Sequence, residues 1–451
     1  MHKNNKISER GQALILLLLA FVGLLGFTAL AIDGGMVYSD RRIAQNAADA
    51  ASVAGARKAG ETLNINQVIS ENWTCTDPSV SSYTAVLAAQ SNAIAEATAW
   101  ATSNDFTNGV DGNQVTITTY CSDGSDAQSK YIDVKAVITT TTQSSFAHFV
   151  FNGSLVNTVE AVGRVHPSFA VGEGNSIVSL TSECQGNLRG ITFGGNGDTT
   201  LDGGGMFSHS CLNLNGASGT ITVTEQNSVY YTQDFNDHNM AINTTPLSTT
   251  NKLSFPIPEP DCSGVGAGSN PVGGTIDPGN YGNIRVNNNE ILYLRPGLYC
   301  LTGDFVINGG ALVKVVGNTY GDGTKDGVTI FLENGKFSAA GTAEVHLNAP
   351  PINCEPLNRS GCPPALGGLL IRLADGNTST VSLAGTEDSE FDGTVFAPDG
   401  MIDVGGTNSL LSELGAQLIA ENIKIHGDTD IRITYDESMI YHVGNMLEVA
   451  K

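Results

Sequence analysis

The sequence predicts a mainly β protein that begins with a transmembrane helix, continues as an α+β module and ends in a parallel β-helix, or solenoid. Three observations carry this prediction. Residues 11–32 form an uncharged apolar run. Residues 33–170 contain two alanine-rich helical patterns followed by alternating strands. Residues 171–436 are rich in short apolar segments punctuated by glycine, and part of this region repeats every 21 residues.

The apolar run is long enough to cross a bilayer. Its 22 residues include no charged side chain, and a helix of this length would extend about 33 Å. The leader, residues 1–10, contains Lys3, Lys6 and Arg10, and short basic flanks tend to remain in the cytoplasm. We therefore expect a single-pass membrane protein with a cytoplasmic N-terminus and an extracytoplasmic bulk. A cleaved secretory signal is the alternative, although no clear small-x-small site closes the run.

Charge and cysteine content fit an exported protein. The 45 acidic residues outnumber 22 Lys and Arg, and the net charge of −23 disfavours nucleic acid as a partner. The cysteines are even in number, scattered and without a C-x-x-C pair, so they predict disulfides rather than a zinc site. Neighbours in sequence order are expected to pair, and the last two are the favoured bridge, although order alone leaves other pairings open. The eight are Cys75, Cys121, Cys184, Cys211, Cys262, Cys300, Cys354 and Cys362.

The module at residues 33–170 begins with a helix that carries a stripe of small side chains. Such a stripe lets another backbone approach closely, either within the same domain or in another subunit. A second alanine-rich helix is predicted from about residue 83 to 101, and alternating strands after it complete an α+β module. The stripe consists of Ala44, Ala47, Ala48, Ala51, Ala54 and Gly55.

A family resemblance is carried by the segment RGQALILLLLAFVGLLGFTALAIDGGMVYSDRRIAQNAADAASVAGA. With its basic residue before glycine, its Ala-Ile-Asp-x-Gly exit and its Arg-Arg pair, it resembles the N-terminal region of TadE/TadG-like Flp pilus-assembly proteins. Residues 146–165 also resemble the end of that pilin-like module. The resemblance implies an inner-membrane-anchored protein of a tight-adherence pilus. Processed pilins carry Glu five residues after the cut, where this chain has Leu16, so we expect an uncleaved anchor.

A three-unit repeat predicts the solenoid. Apolar positions recur every 21 residues in two columns, and a glycine follows them at the same spacing. Stacked coils would bury the columns and place the glycines at coil corners. Leucine-rich repeats and a β-sandwich are the alternatives, but the first lacks its asparagine pattern here and the second needs no constant register. The columns are Val381, Ile402 and Ile423, then Leu383, Val404 and Ile425, with corner glycines Gly385, Gly406 and Gly427.

Loops and a tail complete the predicted domain organisation. Stretches rich in Pro and Gly near residues 233–280 and 350–366 predict surface loops. Residues 437–451 are expected to form a C-terminal tail. The β-helix-like domain would therefore extend over residues 171–436, after the TadE/TadG-like module at residues 33–170.

The candidate chemical groups favour solvated turns and packed histidines over catalysis. Paired carboxylates with a histidine could perform acid–base chemistry, and an acidic Gly-rich turn could bind calcium, but neither set has a specific spacing. We therefore assign no catalytic residue, metal site or cofactor. The groups weighed are Asp234, Asp237 and His238, the turn with Asp322 and Asp326, and the lone His209, His346 and His426.

These observations predict a structural or adhesive protein, not an enzyme, associated with Flp/Tad-type pilus assembly or cell-surface attachment. Its expected partners are the bilayer through residues 11–32, other pilus-assembly proteins, and a surface glycan or protein of unknown identity, with no nucleic acid. One alternative is a polysaccharide-active β-helix enzyme, for which Arg372 and Arg432 are candidates by residue type. Another is a pilin-like filament subunit.

Overall fold

The structure is a computed structural model that describes residues 10–66, 68–70, 72–124, 129–146, 155–184, 190–225, 228–268, 274–317, 326–340, 342–352, 366–406, 414–428 and 430–450. The chain divides into two compact units. The terminal unit comprises Met1–Phe169 and Gly444–Lys451, so it is built from both ends of the chain. The central unit comprises Ala170–Val443.

The terminal unit packs two helices on an antiparallel sheet. Helix α1 is Arg10–Ile65 and helix α2 is Tyr83–Ser103. The sheet contains β1 (Gln114–Asp123), β2 (Lys130–Thr142), β3 (Leu155–Val165) and β31 (Leu447–Ala450), in that order. Side chains of β2 alternate between buried and half-buried, because one face of the sheet covers the helices.

The C-terminal residues are part of this sheet. Strand β31 pairs antiparallel with β3, with Val165 opposite Leu447 and Val162 opposite Ala450. The segment expected to be a tail therefore contains a strand that caps the edge of β3. The sequence gives little indication of this strand. Leu447 and Val449 are 48% and 63% exposed, so the strand has no buried face that would produce an alternating apolar pattern.

Helix α1 is continuous across the end of the apolar run. Gly34 and Gly35, a residue type that is unfavourable in helix interiors, lie inside Arg10–Ile65. At roughly 1.5 Å per residue, its 56 residues extend about 84 Å. One rigid element therefore joins the apolar segment to the packed part of the terminal unit.

The central unit is built from short strands, most of which are three to five residues long. Strand β4, Phe169–Ala170, lies at its boundary. The strands that follow are β5 Asn175–Ser179, β6 Ile191–Gly195, β7 Thr199–Asp202, β8 Gly205–Ser208, β9 Cys211–Leu214, β10 Thr220–Val223, β11 Val229–Tyr231, β12 Asp234–Asp237, β13 Ala241–Ile242, β14 Leu247–Ser248, β15 Gly274–Ile276, β16 Gly279–Tyr281, β17 Ile284–Val286, β18 Ile291–Leu294, β19 Gly297–Leu301, β20 Phe305–Ile307, β21 Leu312–Val315, β22 Val328–Leu332, β23 Phe337–Ala339, β24 Glu344–Asn348, β25 Leu369–Leu373, β26 Thr380–Leu383, β27 Glu390–Gly406, β28 Ala416–Gly427, β29 Ile431–Thr434 and β30 His442–Val443.

In most of the central unit, each strand pairs with the third strand after it in the chain. Strand β15 pairs in parallel with β18, β18 with β21, and β21 with β24, and the strands that start at β16 and β17 follow the same rule. The long strands β27 and β28 each span more than one of these positions. The prediction of a mainly β protein with parallel strands and one long apolar N-terminal helix is confirmed.

The order of pairing differs from the order of the chain. On one side, β28 pairs with β27, and on the other side it pairs with β5 and β6. Strands β5–β14 therefore continue the array beyond β28, although they precede it in sequence. The connection at residues 249–273 links the end of β14 to β15, which belongs to the part of the array on the opposite side of β28.

A large apolar cluster occupies the interior of the central unit. Most of its strands contribute inward side chains, as expected when parallel strands bury a common face. Aromatic rings fill part of this interior: the ring of Phe337 lies 5.4 Å from that of Phe305 and 6.3 Å from that of Phe391, both edge-to-face. This arrangement is favourable for aromatic pairs.

Candidate functional site

The first candidate site is the exposed apolar surface of α1. Among the described residues, this is the one helix long and apolar enough to cross a membrane. Its large side chains from Leu14 to Leu30 are 55–75% exposed, so the protein itself does not cover them. Such a surface requires an apolar environment, which a bilayer supplies.

Asp33 marks the end of this surface. Its carboxylate is buried and accepts hydrogen bonds from the backbone N–H groups of Ser145, at 2.8 Å, and Phe146, at 3.1 Å. Two turns along the helix, Asp40 accepts a bond of 2.7 Å from the hydroxyl of Thr142. These contacts fix the end of β2 beside the helix, directly after the apolar segment. They give a structural reason for the acidic residue of the Ala-Ile-Asp-x-Gly motif.

The small-residue stripe packs inside the terminal unit. Ala44, Ala48 and Ala51 have no exposed surface, and with Ala47 they belong to the same apolar cluster as residues of α2 and β2. A Cβ atom on Gly55 would lie 2.8 Å from Cγ1 of Val134 and 2.9 Å from the carbonyl oxygen of Ala93. Of the two partners considered for the stripe, the structure places the chain's own domain against it.

The repeat positions of the central unit lie in register. The six column residues are partners along β26, β27 and β28, and each is at most 1% exposed. The structure extends both columns beyond the sequence repeat, because Ile423 pairs with Ile191 and Ile425 with Phe193. This extension was not visible in the sequence, since more than 200 residues separate the partners.

Two of the three corner glycines follow the same register. Gly406 pairs with Gly427, and Gly427 pairs with Gly195. Gly195 has φ +93°, and a Cβ atom there would collide with the carbonyl oxygen of Gly427. Glycine is therefore required at Gly195 for both conformation and space. At Gly385, a Cβ atom would collide with the hydroxyl of Ser389.

Three disulfides join cysteines that are neighbours in sequence order. Cys75 bonds to Cys121 in the terminal unit. In the central unit Cys184 bonds to Cys211 and Cys262 to Cys300, with Cα atoms 5.4 Å and 6.1 Å apart. The remaining candidates, Cys354 and Cys362, lie outside the described residues.

The polar groups weighed for chemistry lie apart. Asp234 and Asp237 are at opposite ends of the half-exposed strand β12, and His238 follows it. His346 contacts Glu344 at 2.9 Å and Glu390 at 3.7 Å, whereas His426 contacts Asp403 on the adjacent strand. Within the described residues, no group of three or more His, Cys, Asp or Glu could hold a metal ion. Asp322 lies outside the described residues, and Asp326 is buried.

A second candidate site lies where residues 253–259, here called the strap, cross the outer face of the central sheet. This segment reads LSFPIPE, and its prolines restrict the backbone to extended conformations. The strap and the strands β25 and β27 line an open groove of about 780 Å³. Its walls are Leu180, Leu253, Ser254, Phe255, Pro256, Ile257, Pro258, Arg372, Asp375, Phe396, Pro398 and Asp399.

Arg372 holds the strap against the sheet. Its side chain is 2% exposed and donates through Nη2 to the carbonyl of Ile257, at 3.2 Å, and to Asp375, at 2.9 Å. Through Nη1 it donates to Glu259, at 3.2 Å, and to the carbonyl of Leu373. Arg372 was a candidate by residue type, but its role in a strap was not foreseen. The sequence did contain a signal for its burial. Arg372 interrupts the apolar run LLIRL of β25, and continuous apolar strands are typically buried on both faces, as this one is.

His209 holds the other end of the strap. Its Nε2 accepts the backbone N–H of Leu253 at 3.0 Å, which requires this nitrogen to be unprotonated. Burial lowers the pKa of His209 below its ordinary value, and the nearby charge of Lys252 lowers it further, against a smaller opposite effect of the Leu180 carbonyl. The ring therefore remains neutral and keeps its bond to the strap at neutral pH.

Comparison with known proteins identifies the N-terminal region. Residues 11–58 match the family model described as "Putative Flp pilus-assembly TadE/G-like". No curated protein and no solved structure shows a significant match to the chain. The matched residues include the apolar surface of α1, Asp33 and the small-residue stripe. The chain therefore carries a TadE/G-like segment, which supports an association with Flp/Tad pilus assembly and with the membrane.

Proposed function

We propose that the protein is a membrane-anchored, extracytoplasmic structural or adhesive component of a Flp/Tad-type pilus system. The observation that carries the proposal is the continuity of α1, whose exposed apolar part leads without a break into the packed, TadE/G-like part of the terminal unit. The basic leader favours a cytoplasmic N-terminus. Disulfides in both units favour an oxidising location for the rest of the chain.

The central unit would serve as the displayed part. Its parallel strands, paired in steps of three, support a solenoid in which each turn rests on the next. Such an array leaves unpaired strand edges only at its two ends and presents long, rigid faces. The candidate acidic and histidine residues do not converge on one site in the described part of the chain, which favours a structural or binding role over an enzymatic one.

The anchor is tested with a charged double variant of the whole chain. Leu18→Arg with Leu25→Arg places two charges in the apolar surface, at a cost of about 2.5–3.5 kcal/mol each in a bilayer. We expect this variant to leave the membrane fraction after alkaline extraction, while the matched Leu18→Ile with Leu25→Ile variant stays. Equal behaviour of the two variants would refute the anchor.

Orientation and processing are tested on intact cells that express the natural chain. Protease shaving should cleave peptides of the central unit, and mass spectrometry should find the leader uncleaved in the membrane fraction. A mature N-terminus at Gln12 in sheared fibres would instead identify a filament subunit. Deletion of the protein should reduce pilus formation or surface attachment, and unchanged piliation and attachment would contradict the proposed association.

A further inference from the structure

One end of the terminal unit exposes further apolar side chains where the exposed apolar surface of α1 ends. Four of them come from three separate segments, namely α1, the residues after β2 and the start of β3. Each is 38–65% exposed. Because they continue an apolar surface that the protein leaves uncovered, they point to a shared environment. These four residues, here called the collar, are Met36, Tyr38, Phe146 and Val156.

Hydrogen bonds to α1 fix the height of the sheet side of the collar. The backbone N–H of Phe146 donates to Asp33, and the side-chain amide of Asn157, which follows Val156, donates to the carbonyl of Val37 at 3.2 Å. Asp33 directly follows the apolar run, and each residue adds 1.5 Å along the helix. Phe146 and Val156 therefore lie beside the first turn beyond the run, within about 8 Å of its end.

The residues after β2 approach the apolar run along α1. Thr142 bonds to Asp40, whereas Ser145 bonds to Asp33. These two carboxylates belong to helix positions about 10 Å apart, a separation that three extended residues can cover. The chain after β2 is therefore directed along the helix toward the apolar run, and Phe146 continues from its end.

The charges around the collar suit phospholipid headgroups. Although the chain has a net charge of −23, the two carboxylates of this region, Asp33 and Asp40, both accept hydrogen bonds from the residues at the end of β2. The next charged residues of α1, Arg41 and Arg42, are exposed and form no ion pair with another described residue. Helix side chains lean toward the N-terminus, here toward the apolar run, so both guanidinium groups can extend to lipid phosphates.

We propose that the collar rests in the headgroup layer of the bilayer, as a second membrane contact of the terminal unit, with Arg41 and Arg42 on lipid phosphates. The proposal rests on the membrane anchor given above. The headgroup layer is roughly 5–8 Å thick on each side of the hydrocarbon core, which matches the height of the collar beyond the apolar run. Aromatic side chains such as that of Tyr38 are favourable at this level. Contacts from both helix and sheet would restrict the tilt of α1.

The occupant follows from continuity with the apolar surface of α1. A bilayer that covers this surface extends in every direction around the helix, so it must also meet groups of the same unit at the height of its headgroups. A soluble protein partner would require a surface away from the lipid. The collar is therefore a membrane contact, and a protein that covers it in place of lipid is an outcome that the test can detect.

The test uses single tryptophan probes in the full chain, reconstituted in nanodiscs of phosphatidylcholine that is brominated on its acyl chains close to the headgroups. Bromine quenches tryptophan emission at short range. Phe146→Trp and Val156→Trp report on the sheet side of the collar, and Tyr38→Trp reports on α1. The natural tryptophans, Trp73 and Trp100, give a background that the wild-type chain measures in the same discs.

The matched control is Tyr120→Trp, at an exposed position of β1. Tyr120 pairs with Asp133, which lies about 30 Å along β2 from Thr142. We expect Phe146→Trp and Val156→Trp each to lose at least half of their added emission in brominated discs, and Tyr120→Trp to lose none. All of these positions are exposed, and thermal unfolding shows whether each variant is folded. If Phe146→Trp is not, Val156→Trp decides the question.

The phosphate contact is tested in discs that also contain anionic phosphatidylglycerol. In the Phe146→Trp chain, Arg41→Gln with Arg42→Gln should at least halve the quenching, because two cations near an anionic surface are lost. The control Arg57→Gln changes an exposed arginine of α1 about 24 Å further from the apolar run than Arg41, and it should leave the quenching unchanged. Equal effects of these changes would overturn the assignment of Arg41 and Arg42 to lipid phosphates.

Quenching of Tyr38→Trp without quenching of Phe146→Trp and Val156→Trp would overturn the proposal, because α1 would then be inserted while the sheet is clear of the lipid. That result leaves the membrane anchor intact. Recovery of the chain outside the discs, with no probe quenched, refutes the anchor itself. The two failures are therefore distinguishable in one set of preparations.

Discussion

Strand β18 allows a direct test of which side chains support the parallel array. Leu292 is 1% exposed and belongs to the central apolar cluster, while its neighbour Ile291 is 44% exposed on the opposite face. Leu292→Ala would lose the burial of a complete side chain and leave a cavity, at a cost of about 3 kcal/mol. Ile291→Ala removes a side chain that is only half covered, at a cost of about 1 kcal/mol.

The two losses of stability can be measured at the altered strand and its neighbours, because an array of repeats opens first near the altered unit. Hydrogen exchange of the full chain, followed by mass spectrometry, reports the opening of β15, β18 and β21. About 3 kcal/mol corresponds to a roughly 150-fold increase in the opening equilibrium, and about 1 kcal/mol to roughly fivefold. The wild-type chain is the reference. Equal effects, or a larger effect for Ile291→Ala, would show that the inward face of β18 is assigned incorrectly.

Three further predictions concern the central unit. Gly195→Ala should lower the free energy of unfolding by about 1–3 kcal/mol, because φ is +93° there and the added methyl group has no space; an unchanged urea midpoint would contradict this. Replacing Cys262 and Cys300 by Ser opens a loop with a sequence separation of 38, for which the chain-entropy relation gives a loss of about 4 kcal/mol; reductant should then have less additional effect on thermal unfolding than in the wild type. The third prediction concerns pH: the pKa of His209 is lowered in the folded state, so the unfolded chain binds more protons in acid, and stability should fall as the pH decreases below about 6.5. A lower protection factor of the Leu253 amide at pH 5.5 than at pH 7.5, with no such difference in His209→Gln, would show it.

Local patterns in the sequence determined several features of this protein. A long uncharged run is sufficient to predict an exposed apolar helix, because its period and length do not depend on distant residues. The sequence of β2 alternates apolar and polar residues, and its apolar members Ile132, Val134, Ala136 and Ile138 are all buried. The 21-residue spacing indicated which side chains stack, since successive turns of equal length place equivalent residues in register.

Only the tertiary structure decided how distant segments combine. The pairing of β28 with β5 and β6 joins residues separated by more than 200 positions, and no local pattern encodes this choice. The same holds for β31, whose exposed side chains have no amphipathic signal and whose place is set by the open edge of β3. The groove also depends on contacts between distant segments, because Arg372 is buried only where the strap crosses β25 and bonds to it. A guanidinium can be buried there because four acceptors converge on it, two from the strap and two from the residues that follow Arg372.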